Sequence, residues 1–336
     1  MALPFFNSLR QLHPDSKIIA ICKSDVAPIF AEYPYISGII QFEKKDLSGF
    51  RATSLSGISL RSIDMDIFYL LSDSYRAAYL AYKSECPVRI GYSAQGRNPL
   101  LSKVFYKGKN KIHRSEQYVN LLDKSKLIDQ QYSNSSILLN QEEIEWANKE
   151  LKNLGIIEPI AIFPFSVAQS RTIPQHKTIS LLNRIDNNVL IFGSLGDSDE
   201  ADKLISILQK DNIKSIAGHY GLRESIALIS RCKAAIASDS GLGHISSNLG
   251  IPTVSLFGAG DSELTRPIGE RTFIINKNVY CSPCLKNKCH NRREKLLCLN
   301  QIETNSVIDA VSNLNSFLRT DWDSFLLYLI KYFLKY

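Results

Sequence analysis

The chain has 336 residues, 44% hydrophobic and 22% charged, a balance that excludes a disordered or low-complexity protein and leaves room for two domains. Lys and Arg number 40 against 33 Asp and Glu, a net charge of +7 that suits an anionic substrate or an anionic membrane surface. The basic residues are scattered without interleaved aromatics, which gives no case for nucleic acid, and no apolar run is long enough to span a membrane.

The opening MALPFFNSLRQLHPD lacks the basic and apolar regions of a signal peptide. After it, KIIAIC (17–22), GIIQF (38–42), DIFYLL (66–71) and PVRIGY (87–92) read as short apolar strands, with a helical pattern over 73–85. A polar stretch, roughly 105–150, is rich in Lys, Asn, Ser and Gln; SEQYVNLLDKSKLID and QEEIEWANKELKNLG within it have helical periodicity. The domain boundary is expected near Gly155, giving domains 1–154 and 155–318. Beyond it PIAIFPF (159–165), NVLIFG (188–193), IKSIAG (213–218), KAAIAS (233–238) and PTVSLFG (252–258) are continuous apolar runs, as parallel strands covered on both faces require. Helical patterns at 198–210 and 222–230 alternate with them. The class predicted is α/β, with doubly wound parallel sheets. Seven cysteines, an odd number without a signal peptide, fit a reducing cytoplasm.

Between KAAIAS and the short helical stretch GHISSNLG, closed by Gly250 and Pro252, lies Asp239-Ser240-Gly241-Leu242-Gly243. Glycines let a ligand approach the backbone, and the first amides of a helix have no internal partners. Together with the helix dipole they form a site for phosphate oxygens. The competing reading is a plain strand-to-helix turn, capped by Asp239 or Ser240, with His244 a packed helix residue.

The longer stretch SIAGHYGLRESIALISRCKAAIASDSGLGHISSNLGIPTVSLFGAGD resembles the nucleotide-sugar site of glycosyltransferase family 9, the ADP-heptose:lipopolysaccharide heptosyltransferases. The shared order is an aGxxxLrE segment, a strand, then DSGxxHxxxxLGxPxVxLFG. MALPFFNSLRQLHPDSKIIAICKSDVAPIFAEYPYISGII, DSYRAAYLAYKSECPVRIGY and CSPCLKNKCHNRREKLLCLNQIETNSVIDAV are similar to other parts of the family, so the likeness covers most of the chain. It implies a GT-B fold, two Rossmann-like domains facing a cleft. The C-terminal domain would hold the nucleotide sugar and the N-terminal domain the acceptor. It also implies an inverting transfer from ADP-heptose to a lipid-linked saccharide of the lipopolysaccharide core, without a metal or other cofactor. The setting would be cytoplasmic, peripheral on the inner face of the inner membrane. The other functions open at this point are a GT-B transferase using another nucleotide sugar and a nucleotide-sugar-binding protein without turnover. Oligomeric state is not legible.

Carried over residue by residue, the resemblance places Asp239 to His244 at the diphosphate and sugar, with Ser240, Gly241, Leu242 and Gly243 supplying amides. Ser166 would lie at the phosphates. Arg171 falls where the family has a Lys, as the cation on the leaving group, and Ile173 where it has a Trp. Glu200 would meet the ribose hydroxyls. The family begins with a strand and a Gly-Asp loop whose Asp is the general base. This chain opens inside the equivalent of the next helix, so the first strand and that Asp are not in it. Three readings are open: a start further upstream, lost activity, or another carboxylate in the role. Asp25 and Asp73 lie near strand ends without a motif behind them.

Cys281, Cys284, Cys289 and Cys298 leave two, four and eight residues between them. They read as a loop of reduced thiols, with structural zinc as the minor alternative. Residues 319–336 end in DWDSFLLYLIKYFLKY, with Lys331 and Lys335 one turn apart. They read as a helix packing back on the N-terminal domain, or else lying on a membrane surface.

Overall fold

Short apolar segments alternating with helices produce strands that pair in parallel throughout. The computed structural model describes residues 1–122 and 137–316, and the chain divides into two compact units, Met1–Leu138 and Leu139–Tyr336. Residues 319–336, expected to form a terminal helix, lie outside the described residues. Among the described residues, no helix is long and apolar enough to cross a membrane.

The first unit runs α1 (Leu3–Leu12), β1 (Ile19–Lys23), β2 (Gly38–Phe42), α2 (Gly49–Ser59), β3 (Ile67–Leu70), α3 (Tyr75–Lys83), β4 (Val88–Tyr92), β5 (Lys103–Phe105) and α4 (Arg114–Val119). Its strands form two separate parallel sheets. In one, β1 pairs with β2, Ile19 opposite Gly38; in the other the order is β3-β4-β5, Ile67 opposite Val88. Helix α1 opens with a proline in its first turn, where no amide partner is lost, and buries Leu3, Phe5, Phe6 and Leu9. Phe5 meets Tyr69 edge-on at 5.4 Å and Phe6 meets Phe30 at 5.4 Å. Tyr33 Oη donates to Leu3 O at 3.0 Å, so this aromatic packing also satisfies the buried hydroxyl.

The second unit runs α5 (Gln141–Asn153), β6 (Ile160–Phe163), α6 (Gln175–Asn183), β7 (Val189–Ile191), α7 (Ser198–Leu208), β8 (Ile213–Ser215), α8 (Leu222–Ser230), β9 (Ala234–Ser238), α9 (Gly241–Asn248), β10 (Thr253–Phe257), α10 (Ser262–Thr265), β11 (Thr272–Asn276), α11 (Leu297–Asn300) and α12 (Thr304–Ser316). One parallel sheet has the order β11-β10-β9-β6-β7-β8. Every residue of β6, β7, β9 and β10 is buried, as the continuous apolar runs require. From β6 the chain winds outward through β7 and β8, then returns to place β9 on the other side of β6. That reversal is the switch point at which open α/β sheets bind ligands, outside the carboxyl ends of the strands.

The boundary expected near Gly155 differs by one helix from that seen, between Leu138 and Leu139. Helix α5 belongs with the second unit. It packs on α8, where Arg223 donates to Glu143 from Nε at 2.5 Å and from Nη2 at 2.8 Å. Tyr220 Oη donates to Glu150 at 2.6 Å and meets Trp146 edge-on at 5.6 Å. Burial, then the Glu150 carboxylate, pushes the Tyr220 phenol up to about 12, and the Arg223 hydrogen bond pulls the Glu143 carboxyl down. These partners lie far along the chain, so the polar composition of α5 gives no sign of them.

Candidate functional site

The switch point is built by two segments, 165–172 after β6 and 238–244 after β9. Ser238 Oγ donates to Phe165 O at 2.9 Å, and Ser166 Oγ donates to Asp239 O at 3.3 Å. Ser166 N donates to Thr172 Oγ1 at 3.1 Å, closing the first loop on itself. Both loops are thereby held at the carboxyl ends of neighbouring strands.

Ser240 is extended (φ −145°, ψ 167°) and Gly241 begins α9. Ser240, at the N-cap, makes no side-chain capping hydrogen bond. Gly241, Leu242 and Gly243 make the first turn of α9, whose amides have no partner within the helix. At the other end Gly250 N donates to Ser247 O at 3.1 Å and Ile251 N to Ser246 O at 3.0 Å, a Schellman closure with Gly250 at φ +78°. Gly243 allows α9 to lie this close to β9, because a Cβ there would come within 2.9 Å of Ala237 Cβ.

Arg171 Nε lies 3.4 Å from Asp239 Oδ2. Neither atom has a hydrogen-bond partner among the described residues, and the buried Ser240 Oγ is in the same condition. Burial holds the Asp239 carboxyl above its ordinary value, with Arg171 pulling the other way. Three buried polar atoms without hydrogen bonds, one on the loop after β6 and two on the loop after β9, are costly unless a ligand completes them.

Thus Ser166, Arg171, Asp239, Ser240 and the α9 amides come together. His244 is half-buried in the same helical turn, and Ile173 is in the core. Glu200 is not brought into contact with this group; it is exposed in the first turn of α7, after β7. Of the other carboxylates considered, Asp25 is exposed. Asp73 has both oxygens facing cations, Lys107 at 2.6 Å and the fully buried Arg97 at 3.7 Å.

The sequence does not reveal the wall formed by 258–261 and 282–287. Leu285 N donates to Ala259 O at 2.8 Å, Ser170 N donates to Asn287 O at 3.0 Å, and Ser170 Oγ donates to Lys286 O. Gly260 lies so close to the Asp239 carboxylate that no Cβ would fit. The cysteine-bearing segment is therefore a wall of the switch-point site. Cys289 Sγ accepts from Leu296 N at 3.3 Å and Cys298 is buried. Among the described residues no group of three or more His, Cys, Asp or Glu is placed to hold a metal ion.

A shallow cavity of about 980 Å³ lies at the opposite end of the same sheet, lined by Leu151, Arg231, Ile251 and Arg271 among others. The carbonyl ends of α5, α8 and α9 lie at it, where its basic residues oppose helix dipoles.

Set beside known proteins, the chain matches the model of glycosyltransferase family 9 (heptosyltransferase) over residues 56–294. Lipopolysaccharide heptosyltransferase 2 of Salmonella typhimurium is 23% identical over 294 residues, 82% of this chain and 83% of that one. The structure of E. coli ADP-heptose lipopolysaccharide heptosyltransferase II superposes with a TM-score of 0.79 at 20% identity, covering 95% of both chains. A glycosyl transferase family 9 structure from Veillonella parvula gives 0.80 at 19% identity, over 94% of this chain and 92% of that one.

Proposed function

The chain belongs to glycosyltransferase family 9, has the GT-B fold and is a glycosyltransferase; from that premise we propose that it transfers a heptose from ADP-heptose to the lipopolysaccharide inner core or a related lipid-linked saccharide. The second unit would hold the donor and the first the acceptor. One observation carries the donor half: Arg171 Nε, Asp239 Oδ2 and Ser240 Oγ, all buried and without hydrogen bonds, gather at an uncapped helix N-terminus on the switch point. The names of the relatives support the sugar and the acceptor.

In this reading the diphosphate accepts hydrogen bonds from the amides of Gly241, Leu242 and Gly243, from the hydroxyl of Ser240 and, once it turns away from Asp239 O, from the hydroxyl of Ser166. As the bond from sugar to phosphate breaks, charge builds on the departing diphosphate, and Arg171 with the helix dipole stabilises it. Arg171 then leaves Asp239 free to accept from a sugar hydroxyl, beside His244. Glu200, exposed in the first turn of α7, would accept from ribose hydroxyls. Deprotonation of the acceptor hydroxyl is assigned to no residue here. The protein would work in the cytoplasm, on the inner face of the inner membrane.

The test is thermal stabilisation by ADP and ADP-heptose, followed by transfer to a Kdo-lipid A acceptor. Both ligands should raise Tm, and Ser240→Ala should weaken the rise. Stabilisation and transfer with a UDP-sugar but not with ADP-heptose would overturn the heptose assignment. Tight ADP-heptose binding without transfer would instead favour a nucleotide-sugar-binding protein.

A further inference from the structure

Helix α2 of the first unit is inside out. The residues it buries are Thr53, Ser56 and Gly57, at 0% and 7% exposure for the first two. The residues it turns to solvent are Phe50 and Leu55, each 61% exposed, and Ile58, 42% exposed. A surface helix of a globular protein normally does the reverse. The cause is its packing on α3. A Cβ on Gly57 would lie 2.5 Å from Lys83 Cβ and 2.7 Å from Leu80 O, so only small residues fit between the helices and the large apolar ones face outward.

The neighbouring surface carries cations and aromatic rings. Phe50 meets Tyr75 and Tyr79 edge-on at 6.0 and 5.5 Å. Lys83 Nζ lies over the rings of Tyr79 and the exposed Tyr82, 5.5 and 5.9 Å from their centroids. Arg51 and Arg76 are exposed, and neither α2 nor α3 has an acidic residue. Of the acids flanking the helices, Asp46 accepts from Glu43 N at 2.9 Å, and Glu85 pairs with Arg61 at 2.8 Å. Glu43 is exposed before α2.

We infer that the α2–α3 face seats on an anionic lipid surface. Exposed Phe and Leu side chains enter the headgroup region, while Arg51, Arg76 and Lys83 meet lipid phosphates. The Tyr rings, apolar with a polar tip, suit the boundary between the two. A second copy of the chain is a poorer occupant, because a two-fold contact would set these cations against their own copies with no acid between them. The inference deepens the reading of a lipid-linked acceptor, since it brings the first unit to the surface that bears such an acceptor.

The experiment is co-sedimentation of the full chain with phosphatidylcholine vesicles, with and without phosphatidylglycerol, in the absence of donor and acceptor. Binding is expected only with phosphatidylglycerol. Phe50→Ser with Leu55→Ser should weaken it more than tenfold, and Arg51→Gln or Lys83→Gln about fivefold each. Tm and its rise with ADP should be unchanged in all of them, which separates failure of this inference from failure of the donor assignment. Equal binding to neutral vesicles, or variants that bind as the parent does, would overturn it. So would a dimer in sedimentation equilibrium that the same substitutions abolish.

Discussion

The two units use parallel strands of similar length to opposite effect. In the second, β9 is buried along its whole length between β6 and β10, and the sheet holds together through aliphatic packing on both faces. In the first, β2 alternates half-buried with exposed residues, the strands fall into two sheets, and aromatic edge contacts around α1 carry much of the packing. A strand covered on both faces fixes its loops closely, which suits a diphosphate held by backbone amides. Half-covered strands leave more of the first unit's surface apolar, and the close packing of α2 on α3 adds Phe50, Leu55 and Ile58 to it.

The widest contrast is in stability. Ile236→Ala in β9 should cost about 2–5 kcal/mol in urea unfolding, because the cavity cannot collapse in a fully covered sheet. Ile39→Ala in β2, where the side chain is exposed, should cost less than about 1 kcal/mol. Equal costs would break the comparison. Next in size, Arg171→Ala should lower kcat/KM about a hundredfold with a small change in Tm, and Arg171→Lys should recover part of it. Loss of Tm without loss of kcat/KM would reassign Arg171 to folding alone.

A subtler effect comes from Asp239. Its folded value lies above its ordinary 3.8, so it contributes stability that is complete below 3.8 and lost as pH rises through the folded value. Asp239→Asn does not titrate. The Tm of the variant minus that of the parent should therefore grow more positive from acid to neutral pH, while stabilisation by ADP-heptose weakens. A difference independent of pH would show that burial does not strain this carboxylate. Smallest is a matter of labelling rate. Cys22, Cys281, Cys284 and Cys289 are partly exposed and should react with a thiol reagent well before the buried Cys86, Cys232 and Cys298. Burial pushes the last three thiols up as well, which slows them further. Fast labelling of Cys298 would show the 282–287 wall to be open.

Much of this is legible in the amino-acid sequence, for reasons the two units make plain. The apolar runs that predict strands at 38–42, 87–92 and 233–238 become β2, β4 and β9, since apolar runs this short between turns are too brief for a helix. Helix α2 goes unrecognised because its periodicity is inverted and GFRATSLSGIS has two glycines and three serines, weak helix formers. The strands β5 and β11 also escape, the first being only three residues long. In the site, the turn at 239–244 is visible because small residues between two apolar runs have few other uses. The ties from Ser170 to 286–287, and the facing of Arg171 and Asp239, are not, because they join segments that no local pattern connects. Glu200 is legible as an acid after a strand, and the structure places it exposed in the first turn of α7, after β7.

The sheet order of the second unit also sets a timetable for synthesis. Strand β6 has β7 along one edge and β9 along the other, and all four of its residues end up buried. The tie between Ser166 and Asp239 spans 73 residues, so β6 leaves the ribosome long before its second neighbour exists. At the ordinary pace of translation that interval is about 4–15 s. During it an apolar strand edge stands open to other nascent chains or to a chaperone. The reversal of strand order that creates the switch-point crevice thus also creates the moment at which the growing chain is most exposed to misassembly.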